Sequence, residues 1–407
     1  MNSKNFKYLI LIIILLLIEL KFIKIKKLPV LHSDKWIVMN AYNPPIPSLF
    51  NLLTFLEDWK IVVISNNNKI DKKWKELDYS NKLVYLSLKE QMRLDYHISK
   101  YLSLNSYARK NIEYLYAIQH GAKEKFEIDE DILISDLNSF NFNLSNHNIY
   151  YPIRNDSRMI NPYIHFGEKN IWPRGFRLSD IGYQHYNMFY TLKGRNLLLT
   201  PLIYQGLING VPDTDSIFQK TMLSFEFNFS LTEPFIYFPG NFIPINSKNS
   251  KYLYDIFPFL ALFSTISENL SDIFRGYILQ YFTWRHNGCV VFHSSKNYRL
   301  KNKSKNSIFI EEKNLFYNLD KYLFLLNTNI NSNSRMNEVD RLYNIIENLI
   351  NFGFLGEKDL KIYKAYIDDL SNIGYIYSPI FENKINYDHK GYINSYTELN
   401  SYTFKAI

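Results

Sequence analysis

Cysteine is nearly missing from this chain, and its scarcity excludes whole classes of chemistry. One thiol, Cys289, stands among 407 residues, so neither an intrachain disulfide nor a thiolate zinc site can form. It sits in the apolar run Cys289-Val-Val-Phe292, the setting of a buried, inert thiol. Also missing are a Walker loop, a dinucleotide-binding glycine fingerprint, a Gly-x-Ser-x-Gly elbow and a His-Glu-x-x-His helix. There is no internal repeat. The formal charge is +8, but the lysines are scattered and no arginine-rich run with interleaved aromatics occurs, so nucleic acid is not an expected partner. A basic surface still suits anionic lipid or anionic substrates.

What is present describes a folded protein. Hydrophobic residues make up 46% and aromatics 17% of the sequence, far from a disordered composition. The length suffices for one large domain with an annex, or for two domains. Residues 1–7 read as a short tail. Tyr8 to Ile18 is an unbroken apolar run, followed by Glu19, Leu20 and Lys21-Phe-Ile-Lys-Ile-Lys-Lys27. A spanning helix needs about 20 residues; with Leu20, Phe22 and Ile23, and with Lys21 snorkelling, 8–27 reads as a thin-membrane anchor with a basic flank. No small-x-small cleavage site follows it. Four lysines follow the run and two precede it, so charge does not orient it.

Strands and helices then alternate. Lys35–Met39, Trp59–Ile64 and Leu83–Leu88 read as strands, with a helix between the first two carrying Leu49, Phe50, Leu53 and Leu56. A helix capped at Asn105 or Ser106 runs to His120 and stops at Gly121. Residues 124–128 follow as a strand in which Phe126 and Ile128 alternate with polar neighbours. The pattern predicts an α/β fold: a Rossmann-type, mainly parallel sheet covered on both faces. Past Asp131, residues 141–161 read as a surface excursion and 197–203 as a strand. Further on, 225–238 has β character, 252–263 reads as a helix broken at Pro258, 272–280 as a helix, and 288–293 as a last strand. The lysine- and asparagine-rich stretch Lys296–Lys305 reads as a boundary. It divides a body at 33–300 from a helical annex with an irregular tail at 306–407.

Four constellations can carry chemistry. Asp129 and Asp131 stand just past the strand 124–128, where ligands of α/β sheets gather. Two carboxylates there suit Mg²⁺ or Mn²⁺, which bind through one or two carboxylates plus substrate phosphates; the plain alternative is a solvated strand end. Arg109, Lys110 and Asn111 open a helix whose free N–H groups attract anions, or are ordinary helix-surface residues. Asp213, Asp215 and Asp272 lie near loops and can act as bases or as helix caps, a role Asp215 suits well. His293 ends an apolar strand and is either a third metal ligand or structural; His286 competes with it.

The run Asn105-Ser-Tyr-Ala-Arg-Lys-Asn-Ile-Glu-Tyr-Leu-Tyr-Ala-Ile-Gln-His-Gly-Ala122, with Phe126-Glu-Ile-Asp-Glu-Asp131 after it, resembles the STELLO family of glycosyltransferases. Similar in the same order are Lys35-Trp-Ile-Val, Asn43-Pro-Pro45, Trp172-Pro-Arg-Gly-Phe176, Gly210-Val-Pro-Asp-Thr-Asp215, Pro244-Ile-Asn-Ser-Lys-Asn249 and Asp272-x-x-Arg275-Gly. The resemblance implies a type II Golgi membrane protein, its luminal body a GT-A-like glycosyltransferase domain. A more distant similarity to reversibly glycosylated polypeptides, which act on UDP-arabinose, falls on Arg174-Gly175, Asp213, Asp215, Asp272 and His293. The resemblance implies a nucleotide sugar, UDP-linked, as donor and a glycan or glycoprotein as acceptor, with other Golgi glycan-synthesis proteins as partners. Asp129, Asp131 and His293 would hold Mn²⁺ or Mg²⁺. Asn43, Arg109, Lys110, Asn111 and Arg174 would bind the donor, and Asp272 and Asp215 would serve catalysis. A catalytically silent scaffold that keeps the fold is the alternative. The sequence departs from the family at Glu130, the centre of the acidic triplet, and in the loop Ser65-Asn-Asn-Asn68.

Overall fold

The computed structural model describes residues 30–77, 81–152, 159–182, 189–193, 197, 199–221, 226–237, 239–240, 242–300, 307–330 and 336–378. The expected anchor at 8–27 and most of the irregular tail lie outside them. No described helix is long and apolar enough to cross a membrane.

The expected strands at the start of the body form as read: β1 (Lys35–Asn40), β2 (Trp59–Ile64), β3 (Leu83–Leu86) and β4 (Glu124–Ile128). They lie parallel in the order β3-β2-β1-β4. Between β1 and β2 runs α1 (Pro47–Phe55); before β4, the 3₁₀ turn Tyr107–Arg109 leads into α2 (Lys110–Gln119). Ser106 caps that turn by accepting from the Ala108 N–H, and Gly121 takes the left-handed φ of 98° that suits the C′ position of a helix.

Two further strands are short: β5 (Ile132–Leu133) and, later, β9 (Asn209–Gly210). The rest of the large sheet comes from β6 (Asn148–Pro152), β7 (Phe189–Lys193), β8 (Thr200–Gly206), β10 (Phe235–Tyr237), β11 (Asn249–Leu253) and β12 (Gly288–His293). Its ten strands run β3-β2-β1-β4-β11-β8-β12-β10-β6-β7, with β11 antiparallel to both neighbours. The fold is a large mixed α/β sheet with helices. Two local expectations fail. The stretch 141–161 contains β6, whose Ile149 is fully buried; asparagine-rich flanks masked a strand recruited by the sheet. Residues 252–263 are no helix: β11 ends at Leu253 and a 3₁₀ turn spans Tyr254–Phe259, because Pro258 lacks the N–H a longer helix needs.

The alternation in β4 also misleads. Phe126 and Ile128 join the apolar core with Ile37, Ile61 and Val63, but Lys125 and Glu127 are fully buried too. On their face lie α2 and the long α4 introduced below, and Lys125 Nζ sits 3.2 Å from the Tyr114 ring centroid. A strand with charged residues on its second face is normally half-solvated; here the charges have buried partners instead.

A small sheet, β5-β13-β9, adds β13 (Tyr298–Arg299). Residues 297–299 thus run through the body, inside the stretch read as a boundary. The remaining helices are α3 (Ser216–Thr221), α4 (Glu268–Arg285), α5 (Ser307–Ile330), α6 (Glu338–Asn351) and α7 (Glu357–Asn372). The last three pack among themselves and onto α2 and α4. Asp359 of α7 accepts from the Ser264 N–H (2.7 Å) and the Thr265 hydroxyl, bracing the segment that enters α4. Asp369 accepts from the His97 and Ile98 N–H groups at 2.7 and 2.9 Å.

Candidate functional site

The carboxyl ends of β1 and β4, the Pro244–Lys248 loop before β11 and the N-terminus of α4 converge. Asp129 and Asp131 stand there with side chains 28% and 26% exposed. Between them Glu130 turns the other way. Its carboxylate accepts from the Tyr42 N–H (2.8 Å), the Asn43 N–H (3.0 Å) and Asn43 Nδ2 (2.7 Å). The departure at the centre of the triplet therefore fastens the loop after β1 to the acidic turn, and Asn43 is spent on that bond.

Behind the acidic pair runs a chain of alternating charges. Asp129 lies 3.9 Å from Lys110 Nζ, which lies 2.7 Å from Glu127. Glu127 meets Arg275 at 3.2 Å, Arg275 meets Asp272 at 2.8 Å, and Asp272 meets Arg174 at 2.9 Å. Arg174 pairs with Asp213 at 3.0 Å, and Asp213 with Lys248 at 2.5 Å. All of these but Asp129 and Lys248 are essentially buried, where a lone charge would be costly and a paired one tolerable. Burial by itself raises a carboxyl; at Glu127 the positive charges of Arg275, Lys110 and Lys125 overcome it and hold the group at about 2. Burial likewise opposes ionisation of Asp213, and Arg174 and Lys248 hold it well below the usual range. Asp129 is raised: burial, with Asp131 beside it, outweighs the nearby Lys110, Lys248 and Arg299.

Several residues expected to face a ligand are engaged in the interior. Arg109 donates from Nε to Gln91 Oε1 at 2.7 Å. Asn111 exchanges two hydrogen bonds with the Leu262 backbone (3.1 and 2.8 Å). Arg174 and Asp272 are members of the ion-pair chain. Asp215 caps α3: its Oδ1 accepts from the Phe218 N–H at 2.7 Å, and its other oxygen accepts from Trp172 Nε1. His293 is buried and stacked on Phe142 at 4.3 Å, and its Nδ1 lies 3.1 Å from the Ser294 carbonyl. Burial lowers it to about 4, so the ring is neutral. Two strands separate β12 from β4, and among the described residues no three His, Cys, Asp or Glu side chains gather to hold a metal.

The donor set that remains at the strand end is two carboxylates, partly open to water. Those are hard oxygen ligands of the kind a divalent cation shares with phosphates, so Asp129 and Asp131 fit such an ion without His293. Three residues there have no counterpart in the sequence expectation. Glu268, in the first turn of α4, is exposed to water beside the acidic pair; desolvation and the nearby Asp129 raise it to about 7. Lys248 reaches in from the loop before β11, and Arg299 Nε bonds Asp131 at 2.8 Å. Lys248 lies inside a resembling block, and the i,i+3 spacing of Asp272 and Arg275 signalled their pairing. Arg299 carried no local signal.

No protein-family model matches the chain. Two curated proteins of Arabidopsis thaliana do. "Probable glycosyltransferase STELLO1" is 32% identical over 363 residues, covering 84% of this chain and 45% of that protein. "Probable glycosyltransferase STELLO2" is 31% identical over 362 residues with the same coverage. The chain spans about half the length of the curated relatives it matches.

Proposed function

Since the chain is of the STELLO type along 84% of its length, we propose that it binds a nucleotide sugar, UDP-linked, through a divalent cation, Mn²⁺ or Mg²⁺, held by Asp129 and Asp131, and transfers the sugar to a glycan or glycoprotein. The observation that supports this most is the pair of partly exposed carboxylates at the end of a parallel strand, ringed by Lys110, Lys248 and Arg299. A bound cation would supply charge stabilisation to the departing diphosphate. Lys248 and Arg299 add fixed positive charge at the same place, and in a cleft of reduced dielectric such groups act strongly on developing charge.

The proton of the acceptor hydroxyl needs a receiver. Asp272 and Asp215 are committed to Arg174, Arg275 and the α3 cap. Glu268 is open to the cleft, and in this reading its carboxylate takes that proton as the hydroxyl oxygen bonds to the sugar. The commitment of Asp272 and Asp215 also favours a second reading, a silent assembly scaffold that retains the fold. The apolar run 8–18 supports a membrane anchor, and the similarity to the STELLO type supports reading it as a type II signal anchor in the Golgi or another secretory-pathway membrane, with the body luminal.

Isothermal titration of the full chain with UDP separates the two readings. Mn²⁺-dependent binding is expected; its absence in the wild-type protein removes the enzyme reading. Turnover of a UDP-sugar by wild type and not by Glu268→Gln, with UDP binding retained, supports the proton role.

A further inference from the structure

Arg299 is held on a rigid backbone. β13 pairs with β9 (Arg299↔Gly210) and with β5 (Arg299↔Ile132), and the Arg299 carbonyl accepts from the Val211 N–H at 3.1 Å. Gly210 is required for that approach: its φ is +80°, and a Cβ there would stand 2.3 Å from the Arg299 carbonyl oxygen. Just upstream, the buried Asn297 accepts from the Ser135 and Asp136 N–H groups (both 3.2 Å) and donates to Asn249 (3.2 Å). The strand is stitched to the acidic turn and to β11, so any motion here belongs to the side chain.

That side chain is 21% exposed, and its one bond to a described residue is from Nε to Asp131. The guanidinium also lies within the field of Asp129 and Asp213. A guanidinium and a divalent cation cannot comfortably share one carboxylate, because like charges a few ångströms apart repel strongly in a cleft of low dielectric. A diphosphate, in contrast, offers a guanidinium a two-pronged acceptor.

We propose that Arg299 is an exchangeable latch: it occupies Asp131 in the unliganded protein and passes to the donor's diphosphate when a divalent cation takes that carboxylate. This rests on the function proposed above. The exchange makes cation and nucleotide binding mutually reinforcing. The cation alone must dislodge Arg299 with no anion to receive it, whereas with UDP present the displaced guanidinium gains a partner. By linkage the factor by which Mn²⁺ tightens UDP equals the factor by which UDP tightens Mn²⁺.

The test is titration calorimetry on the full chain, with Mn²⁺ alone, UDP alone and each in the presence of the other, for wild type, Arg299→Gln and Arg299→Lys. Arg299→Gln is expected to bind Mn²⁺ alone more tightly, by ~10-fold, and to bind UDP in Mn²⁺ more weakly by a similar factor, so the coupling collapses. Loss of a merely structural contact would weaken both. Arg299→Lys keeps the charge on Asp131 without the fork, so its affinity for Mn²⁺ alone stays at the wild-type level while UDP weakens. If wild type shows Mn²⁺-dependent UDP binding and Arg299→Gln gains no affinity for Mn²⁺ alone, the latch is overturned and the proposed function stands. UDP affinity in Arg299→Lys equal to wild type also overturns it. If wild type binds no UDP with Mn²⁺, both fall together.

Discussion

The two ends of the charge chain obey opposite rules. From Lys110 through Glu127, Arg275, Asp272 and Arg174 to Asp213, each member is buried and its charge is met by a neighbour of opposite sign within 3.2 Å. At the rim, Asp129, Asp131, Glu268 and Arg299 are reached by water; Asp131 and Arg299 pair at 2.8 Å, but Asp129 stands 3.9 Å from its lysine. The interior segment is engaged in its own ion pairs, and its work is to hold β4, α2, α4 and the Asp213 loop in one arrangement. The rim keeps charges available. Residue type does not separate these tasks, since the same Asp and Arg side chains appear in both; burial and partner count do.

The comparison breaks most visibly in the interior. Replacing Arg275 by Met leaves Glu127 and Asp272 buried with one cation fewer each, and should cost about 3–5 kcal/mol, read as a lowered midpoint in chemical denaturation. If stability is unchanged, the chain is not the strut described here.

Glu113 sharpens the same contrast from another side. It is as buried as Glu127, but it accepts from the Ile64 N–H (3.1 Å) and forms no direct ion pair among the described residues, so burial raises it to about 8. A carboxyl raised in the folded state keeps its proton while the unfolded chain loses it. Stability should therefore fall as pH rises from about 4.5 to about 8, by an amount on the order of 5 kcal/mol. Melting profiles against pH should flatten across that window in Glu113→Gln; an unchanged slope would place the proton elsewhere.

At the rim the expected loss is in binding rather than folding. Asp129→Asn combined with Asp131→Asn should weaken Mn²⁺-dependent UDP binding by ~100-fold, about 2.7 kcal/mol, with the melting temperature close to wild type. UDP binding that survives the double substitution removes the metal assignment. The smallest effect is expected for Asp215→Ala, which removes the α3 cap at a cost of about 1 kcal/mol and leaves UDP affinity unchanged in calorimetry. A large loss of UDP affinity would return Asp215 to the site.

Much of the fold was legible along the chain because its signals are local. β2, β4 and β12 fall at the residues that apolar content and flanking turns marked, and the Ser106 and Gly121 signals bound the helix they were expected to bound. β6 and β11 were missed: their polar sequences become strands because neighbouring strands offer hydrogen bonds, a property of the sheet and not of the segment. In the site, the acidic pair was legible through its context, the capped helix before it and the ordered blocks after it, and not through its spacing alone. Arg299 was not, since it reaches Asp131 from 168 residues away.

By itself, then, the sequence determined the strand–helix order, the place of Asp129 and Asp131 past β4, and a similarity to the STELLO type along 84% of the chain. Tertiary structure alone decided which charges are spent and which remain available. Glu130 and Asn43 bind each other, Asp272 and Arg174 disappear into ion pairs, His293 stacks on Phe142, and Glu268 with Arg299 is left at the rim. The physical reason is that a charge is priced by its surroundings. Desolvation and opposite charges come from residues distant in the chain, and only the folded arrangement brings them within reach.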